Sequence, residues 1–313
     1  MSLAFLFPGQ GSQAVGMGSD LADAFGAARE VFQEVDDALG QKLASLMRDG
    51  PEDQLTLTEN AQPALMAVSL AVMRTLEKEF GVSIDKAAFV AGHSLGEYSA
   101  LAAAGAISLA DTARLLKLRG QAMQRAVPVG QGAMASLIGP KSDVALAEEA
   151  AAAGSAAGVC VVANDNNAGN VVISGDKAAV DLAIEKAKEL GARAILLNVS
   201  APFHCPLMQR AADEMAEALS KATILAPRAP LVANVTALPT LDPEAIRRML
   251  VEQVTGRVRW RESMLALKEL GVDATVEMGG NKVLTGMVKR IDKDLQTLTL
   301  DTPDEIEAFA KAL

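Results

Sequence analysis

The chain has 313 residues, half of them apolar, with 29 Lys and Arg against 39 Asp and Glu for a formal net charge of −10. That length can bury one large or two modest cores, and the acidic balance argues against a surface built to hold nucleic acid through its phosphates. Cys160 and Cys205 are the two cysteines, too few for a disulfide framework or a metal cluster, so a reducing cytoplasm and no metal are expected.

The opening "MSLAFLFPGQGSQ" lacks a basic segment and its apolar run stops at Phe7, so neither a secretion signal nor a membrane span is expected there. Later alanine-rich runs are interrupted by Gly, Glu, Arg or Lys before reaching membrane length. Leu3 to Phe7 reads as a short buried strand, followed by a Pro/Gly loop and amphipathic helices as far as Phe80. Ala87 to Ala91 reads as a second strand, which runs into "GHSLG", and "LGEYSALAAAG" continues as a helix ending at Gly105.

From Pro128 to Asn198 the rhythm changes. "GAMASLIG" reads as strand, "KSDVALAEEAAAAG" as helix, "GVCVVAN" and "NVVISG" as strands, "DKAAVDLAIEKAKELG" as helix and "ARAILLNV" as strand. That βαββαβ order is the ferredoxin-like arrangement, a unit able to stand as an insert; the alternative is that these strands extend the main sheet. Next come a loop, a helix with Pro206 near its first turn, a strand in "PLVANV", and a helical remainder with one more strand at "DATVEMG". The expected organisation is an α/β body formed by residues 1–127 and 199–313 around a small domain at 128–198.

Gly92, Ser94 and Gly96 form G-x-S-x-G between a strand and a helix, the setting in which a serine is exposed for attack on an acyl carbon. A serine hydroxyl needs a base within hydrogen-bond reach, and the chain offers two histidines. His93 adjoins Ser94 in the turn, where neighbouring side chains diverge; His204 precedes a helix in a loop and is the remaining imidazole. Positive potential from the helix near Pro206 would help keep it neutral. Attack on a carbonyl also needs donors for the oxyanion: the Leu95 amide, and an amide from "PGQGSQ" at residues 8–13, which reads equally as an ordinary strand-to-helix turn.

Placed on a wheel at 100° per residue, residues 113–126 align Leu115, Leu118, Ala122, Met123 and Ala126 in one stripe with Arg119 inside it. A charge there either pairs with a buried acid or receives an anionic ligand. A guanidinium fork suits a carboxylate, and malonyl is the simplest acyl group carrying one. Cys205, beside His204, reads as a small buried residue rather than a thiol nucleophile. Lys282, Lys289 and Arg290, with Arg193, are candidates for phosphate or acidic-partner contacts, or a solvated face.

"FLFPGQGSQ", "GHSLGEYSAL", "LRGQAMQ", "VSAPFHCPLM" and "EMGGNKVLTGMVKR" occur in an order and spacing that resembles the malonyl-CoA:acyl-carrier-protein transacylases, from Phe5 to Arg290. The resemblance implies an α/β-hydrolase-like large domain with an inserted ferredoxin-like small domain. It implies Ser94 as nucleophile, His204 as its base, Arg119 as the residue holding the malonyl carboxylate, and the amides of Gln10 and Leu95 as the oxyanion hole. Gln253 matches the position whose main-chain carbonyl orients the histidine, and Arg193, Asn164 and Asn170 match positions lining the CoA or substrate entrance. "GGN" at 279–281 departs from the usual proline-glycine pair. Phe203 stands where some fatty-acid members carry serine; phenylalanine there accompanies malonyl selectivity in polyketide acyltransferases.

The expected reaction is malonyl transfer from malonyl-CoA to acyl carrier protein through a malonyl-serine ester, without metal or other cofactor, in fatty acid biosynthesis or in a polyketide pathway. A serine esterase or thioesterase would use the same pair, and a malonyl-CoA sensor would not need Ser94 at all. The resemblance implies a monomer, while the acidic balance and the lack of a run of membrane length imply no nucleic acid or membrane partner.

Overall fold

A computed structural model describes all 313 residues. In chain order the strands are β1 (Leu3–Phe7), β2 (Ala87–Gly92), β3 (Gly132–Ile138), β4 (Cys160–Asn167), β5 (Asn170–Asp176), β6 (Arg193–Leu196), β7 (Leu231–Val232), β8 (Pro239–Thr240), β9 (Ala274–Met278) and β10 (Gln296–Leu300). The larger sheet runs β10-β9-β1-β2-β7-β8, with all neighbours parallel except β7 and β8. Every residue of β1 and of β9 is buried, as continuous apolar strands must be when helices cover both faces. A 65-residue core lies on one side, with its largest helical shares from Thr58–Phe80 and Leu109–Ala126, and a 12-residue core around Trp260 on the other.

The second sheet, antiparallel in the order β4-β5-β3-β6, is the ferredoxin-like order expected from βαββαβ. The helices Val144–Gly154 and Lys177–Glu189 pack against it over their own 14-residue core. These strands therefore do not extend the main sheet. The one β-bridge from it to the body is Asn164 to Val258.

The carboxyl-terminal part holds more strand than its sequence pattern predicts. β10 adds to β9 at one edge and β8 to β7 at the other, whereas "PLVANV" contributes only two residues, β7. Gln296–Thr299 alternates exposed and half-buried positions at the sheet edge before the buried Leu300, so its apolar signal is weak.

Two glycines hold the serine turn against the sheet. A Cβ on Gly92 would lie 1.9 Å from the Gly96 carbonyl carbon, and one on Gly96 would lie 2.1 Å from the Phe7 carbonyl oxygen. Gly96→Ala should therefore lower stability by about 2 kcal/mol or more in denaturant melts. Gly286→Ala, at a helical site with nothing within 4 Å, should be neutral or stabilising.

Candidate active site

β2 ends at Gly92, and Ser94 then adopts φ 54°, left-handed geometry that a serine accepts only under constraint. The constraint is visible. The Ser94 amide donates to Asn234 Oδ1 at 2.8 Å, and Asn234 Nδ2 donates to the Gly92 carbonyl at 2.7 Å. The helix Gly96–Ala103 follows at once, so Ser94 Oγ projects above the ends of the parallel strands.

His204, 3% exposed and itself at φ 57°, places Nε2 2.8 Å from Ser94 Oγ. Its Nδ1 lies 2.9 Å from the Gln253 carbonyl oxygen, which can only accept a hydrogen bond. Nδ1 therefore carries the proton, and Nε2 presents a lone pair to the hydroxyl. Burial first, and the Arg119 charge second, pull this imidazole down to about 3, so it is a neutral acceptor at physiological pH. The helix potential expected from the sequence is not among the leading causes: Pro206–Met208 form a 3-10 turn and the α-helix starts only at Gln209.

Arg119 sits on the helix Leu109–Ala126 and is 1% exposed. Its hydrogen-bond partners are all uncharged. Nη1 donates to Gln62 Oε1 at 2.8 Å, while Nη2 donates to Gln253 Oε1 at 2.9 Å and to Ser94 Oγ at 3.1 Å. Nε has no partner, and the guanidinium lies 5.8 Å from the centre of the Tyr98 ring. A buried cation without a contacting carboxylate is strongly disfavoured unless an anion joins it. Of the two readings left open by the helical wheel, the direct ion pair is absent.

Ser94, His204, Arg119 and Gln62 share a cavity of about 320 Å³ with Gln10, Leu95, Asn164, Met123, Phe203 and the β3 residue Met134. The Gln10 and Leu95 amides donate to no other protein group, and the Gln10 side chain is fixed by Thr58 Oγ1 at 2.9 Å. His93 turns away from Ser94. Its Nε2 lies 2.8 Å from Asn166 Oδ1 and its ring meets Trp260 edge to face. Asn170 does not line the cavity and accepts from the Ser136 hydroxyl at 2.8 Å. Arg193 is exposed on β6 and also stands outside the cavity wall. Cys205 is buried, with Sγ directed at the Pro202 carbonyl and its thiol pushed up by burial.

Sequence alone does not single out Gln62, Asn234 or Glu97. Gln62 carries a weak signal as a polar residue inside the apolar run "AQPALMAV", and Glu97 as an acid just after the serine turn in an apolar helix. No group of three or more His, Cys, Asp or Glu is placed to hold a metal. No helix is long and apolar enough to cross a membrane.

A parallel α/β sheet that presents a serine on a strained turn, a neutral histidine on its hydroxyl and a buried guanidinium beside both defines a class of protein suited to acyl-group chemistry. Known proteins agree: residues 4–300 match the acyl transferase domain family. The malonyl CoA-acyl carrier protein transacylase of Escherichia coli (strain K12) is 45% identical over 99% of this chain and 98% of its own length, and that of Bacillus subtilis (strain 168) is 44% identical over 99% and 97%. The acyl-carrier-protein-S-malonyltransferase of Bartonella henselae superposes with a TM-score of 0.97 at 55% identity, covering 100% of this chain and 99% of that one. A malonyl-transacylase solved with its type II polyketide acyl-carrier protein superposes at 0.96 with 40% identity, covering 100% of both chains. The chain belongs to the malonyl CoA-acyl carrier protein transacylase family of acyltransferases.

Proposed function

We propose that this protein moves a malonyl group from malonyl-CoA to the phosphopantetheine thiol of acyl carrier protein, through a malonyl ester of Ser94, in fatty acid biosynthesis. The observation that carries the reading is Arg119: a buried cation with only neutral partners, 3.1 Å from the serine oxygen. It seats the free carboxylate of the acyl group and so fixes the thioester carbon over Ser94.

In the first half-reaction Ser94 Oγ bonds to the thioester carbonyl carbon while His204 Nε2 takes its proton. The oxyanion is received by the Gln10 and Leu95 amides. The C–S bond then breaks and the CoA sulfur takes the proton from His204. In the second half-reaction the carrier thiol gives its proton to His204 and forms the new C–S bond. The ester C–O bond breaks and Ser94 recovers its proton. Gln253 holds the imidazole through its main-chain carbonyl. No metal or other cofactor takes part.

We assign Asn164 to the substrate cavity and give Asn170 and Arg193 no contact with the acyl group. Residues 128–198 are taken as a small domain inserted in a body of 1–127 and 199–313, a division supported by its separate sheet and core. The protein is taken as a cytoplasmic monomer with neither nucleic acid nor membrane partner. The relative solved with a polyketide carrier supports a second reading in which the same transfer feeds a polyketide synthase.

The test is to mix the protein with malonyl-CoA and follow its intact mass, then add carrier protein. One malonyl group should appear on the protein and pass to the carrier. Release as free malonate would make it an esterase, and binding without any adduct, with deacylation shown to be slow, would make it a sensor.

A further inference from the structure

Glu97 stands one side chain away from the buried guanidinium. It lies in the first turn of the helix Gly96–Ala103, is 1% exposed, and accepts from Gln253 Nε2 and, at 3.3 Å, from the Asn234 amide. The orientation of the Gln253 amide is dictated by its neighbours. A carboxylate can only accept and a guanidinium can only donate, so Nε2 faces Glu97 and Oε1 faces Arg119. A single amide therefore separates two buried opposite charges.

The surroundings of Glu97 are otherwise uncharged. Arg119, from the helix Leu109–Ala126, is the one charged group acting on it. The helix Pro243–Thr255 and the segment after β7 contribute Gln253 and Asn234, and β1 and β2 contain no titratable residue. The helix Thr58–Phe80 turns the neutral Gln62 toward Arg119. Burial holds both Tyr98 and His204 in their neutral forms.

We infer that Glu97 is the counter-charge of the carboxylate seat, ionised while the seat is empty and protonated from solvent when a malonyl carboxylate pairs with Arg119. The inference rests on the reading that malonyl occupies that seat. In the empty site one guanidinium balances one carboxylate. A substrate carboxylate would leave two buried anions facing one cation, and like charges in one site do not both stay ionised. The substrate contacts Arg119 directly whereas Glu97 reaches it only through an amide, so Glu97 takes the proton. The pocket is then neutral both before and after loading, and the oxyanion on the reacting carbonyl develops beside a neutral site rather than a negative one. Burial already pushes Glu97 up to about 7, so the added anion acts on a group poised to respond.

Calorimetry of Ser94→Ala, which binds without reacting, in buffers of different ionisation heat reads the proton count. CoA, which carries the same phosphates without the malonyl group, is the reference. Relative to CoA, malonyl-CoA should take up close to one proton at pH 8, on the ionised side of the Glu97 titration, and far less at pH 6, on its protonated side. Its affinity relative to CoA should fall by up to about tenfold per pH unit across that range. Glu97→Gln on the same background should abolish the uptake while binding persists. Malonyl-CoA binding with the CoA proton count, or uptake surviving in Glu97→Gln, overturns the inference. Failure of malonyl-CoA to acylate the wild-type protein instead removes the functional reading beneath it.

Discussion

Replacing Ser94 by Ala is expected to abolish malonyl transfer, with kcat falling by about 10⁴- to 10⁶-fold and no acyl adduct in the intact mass. His204→Ala should lose nearly as much, and the double variant should be no slower than either single one. The reason is geometric. Ser94 Oγ has Nε2 at 2.8 Å as its one basic neighbour, so without either group the remaining machinery can only bind and polarise. Additive losses in the double variant would mean that the two side chains act independently, contrary to this assignment. The pH profile supplies a second check. An ordinary histidine base gives an acid limb near 6.5, but the neutral form of His204 persists down to about 3 because burial and Arg119 oppose its protonation. The acid limb of kcat/KM attributable to this base should therefore be displaced well below pH 6.5, and a limb near 6.5 that vanishes in His204→Ala would contradict the burial argument.

The second large effect is expected at Arg119. Arg119→Ala removes the group that singles out a carboxylate, and malonyl transfer should fall by about 3–5 kcal/mol of transition-state stabilisation, on the order of 10² to 10⁴ in kcat/KM. Acetyl-CoA, which has no carboxylate to seat, should change by less than about tenfold. The variant should consequently prefer neutral acyl groups. Equal losses for malonyl and acetyl donors would assign Arg119 to the support of Ser94, which it also touches, rather than to selection. Arg119→Lys distinguishes charge from shape, because an ammonium keeps the charge but loses the planar fork.

The sequence carries the parts of this site that are local. Ser94 is legible because strand, glycines and helix occur within a dozen residues, and Arg119 because a helical period exposes a charge among apolar neighbours. His204 follows from the scarcity of imidazoles. The groups around them are another matter. Gln62, Asn234 and Gln253 come from three separated segments that meet only when the helices pack on the sheet. Nothing in their own neighbourhoods distinguishes them from ordinary polar residues, and only family resemblance points to the Gln253 carbonyl. The same limit applies to the fold. The small sheet announces itself through regular alternation of strand and helix, whereas β8 is two residues held by β7 alone and β10 is a half-exposed edge. Arg119 shows the value of a conflict between pattern and residue type: the residue that breaks the apolar period marks the site.

The sheet order also bears on how the chain is made. β1, buried in every residue, pairs with β2 on one side and with β9 on the other, so that Leu3 lies beside both Ala87 and Ala274. A ribosome delivers β2 long before β9, at about 5–20 residues per second, which leaves one apolar edge of β1 without its neighbour for roughly 10–40 s. During that interval the growing chain presents the kind of strand edge that recruits other chains. A holdase that protects this nascent chain must therefore shield the flank of Leu3–Phe7 until residues 274–278 emerge.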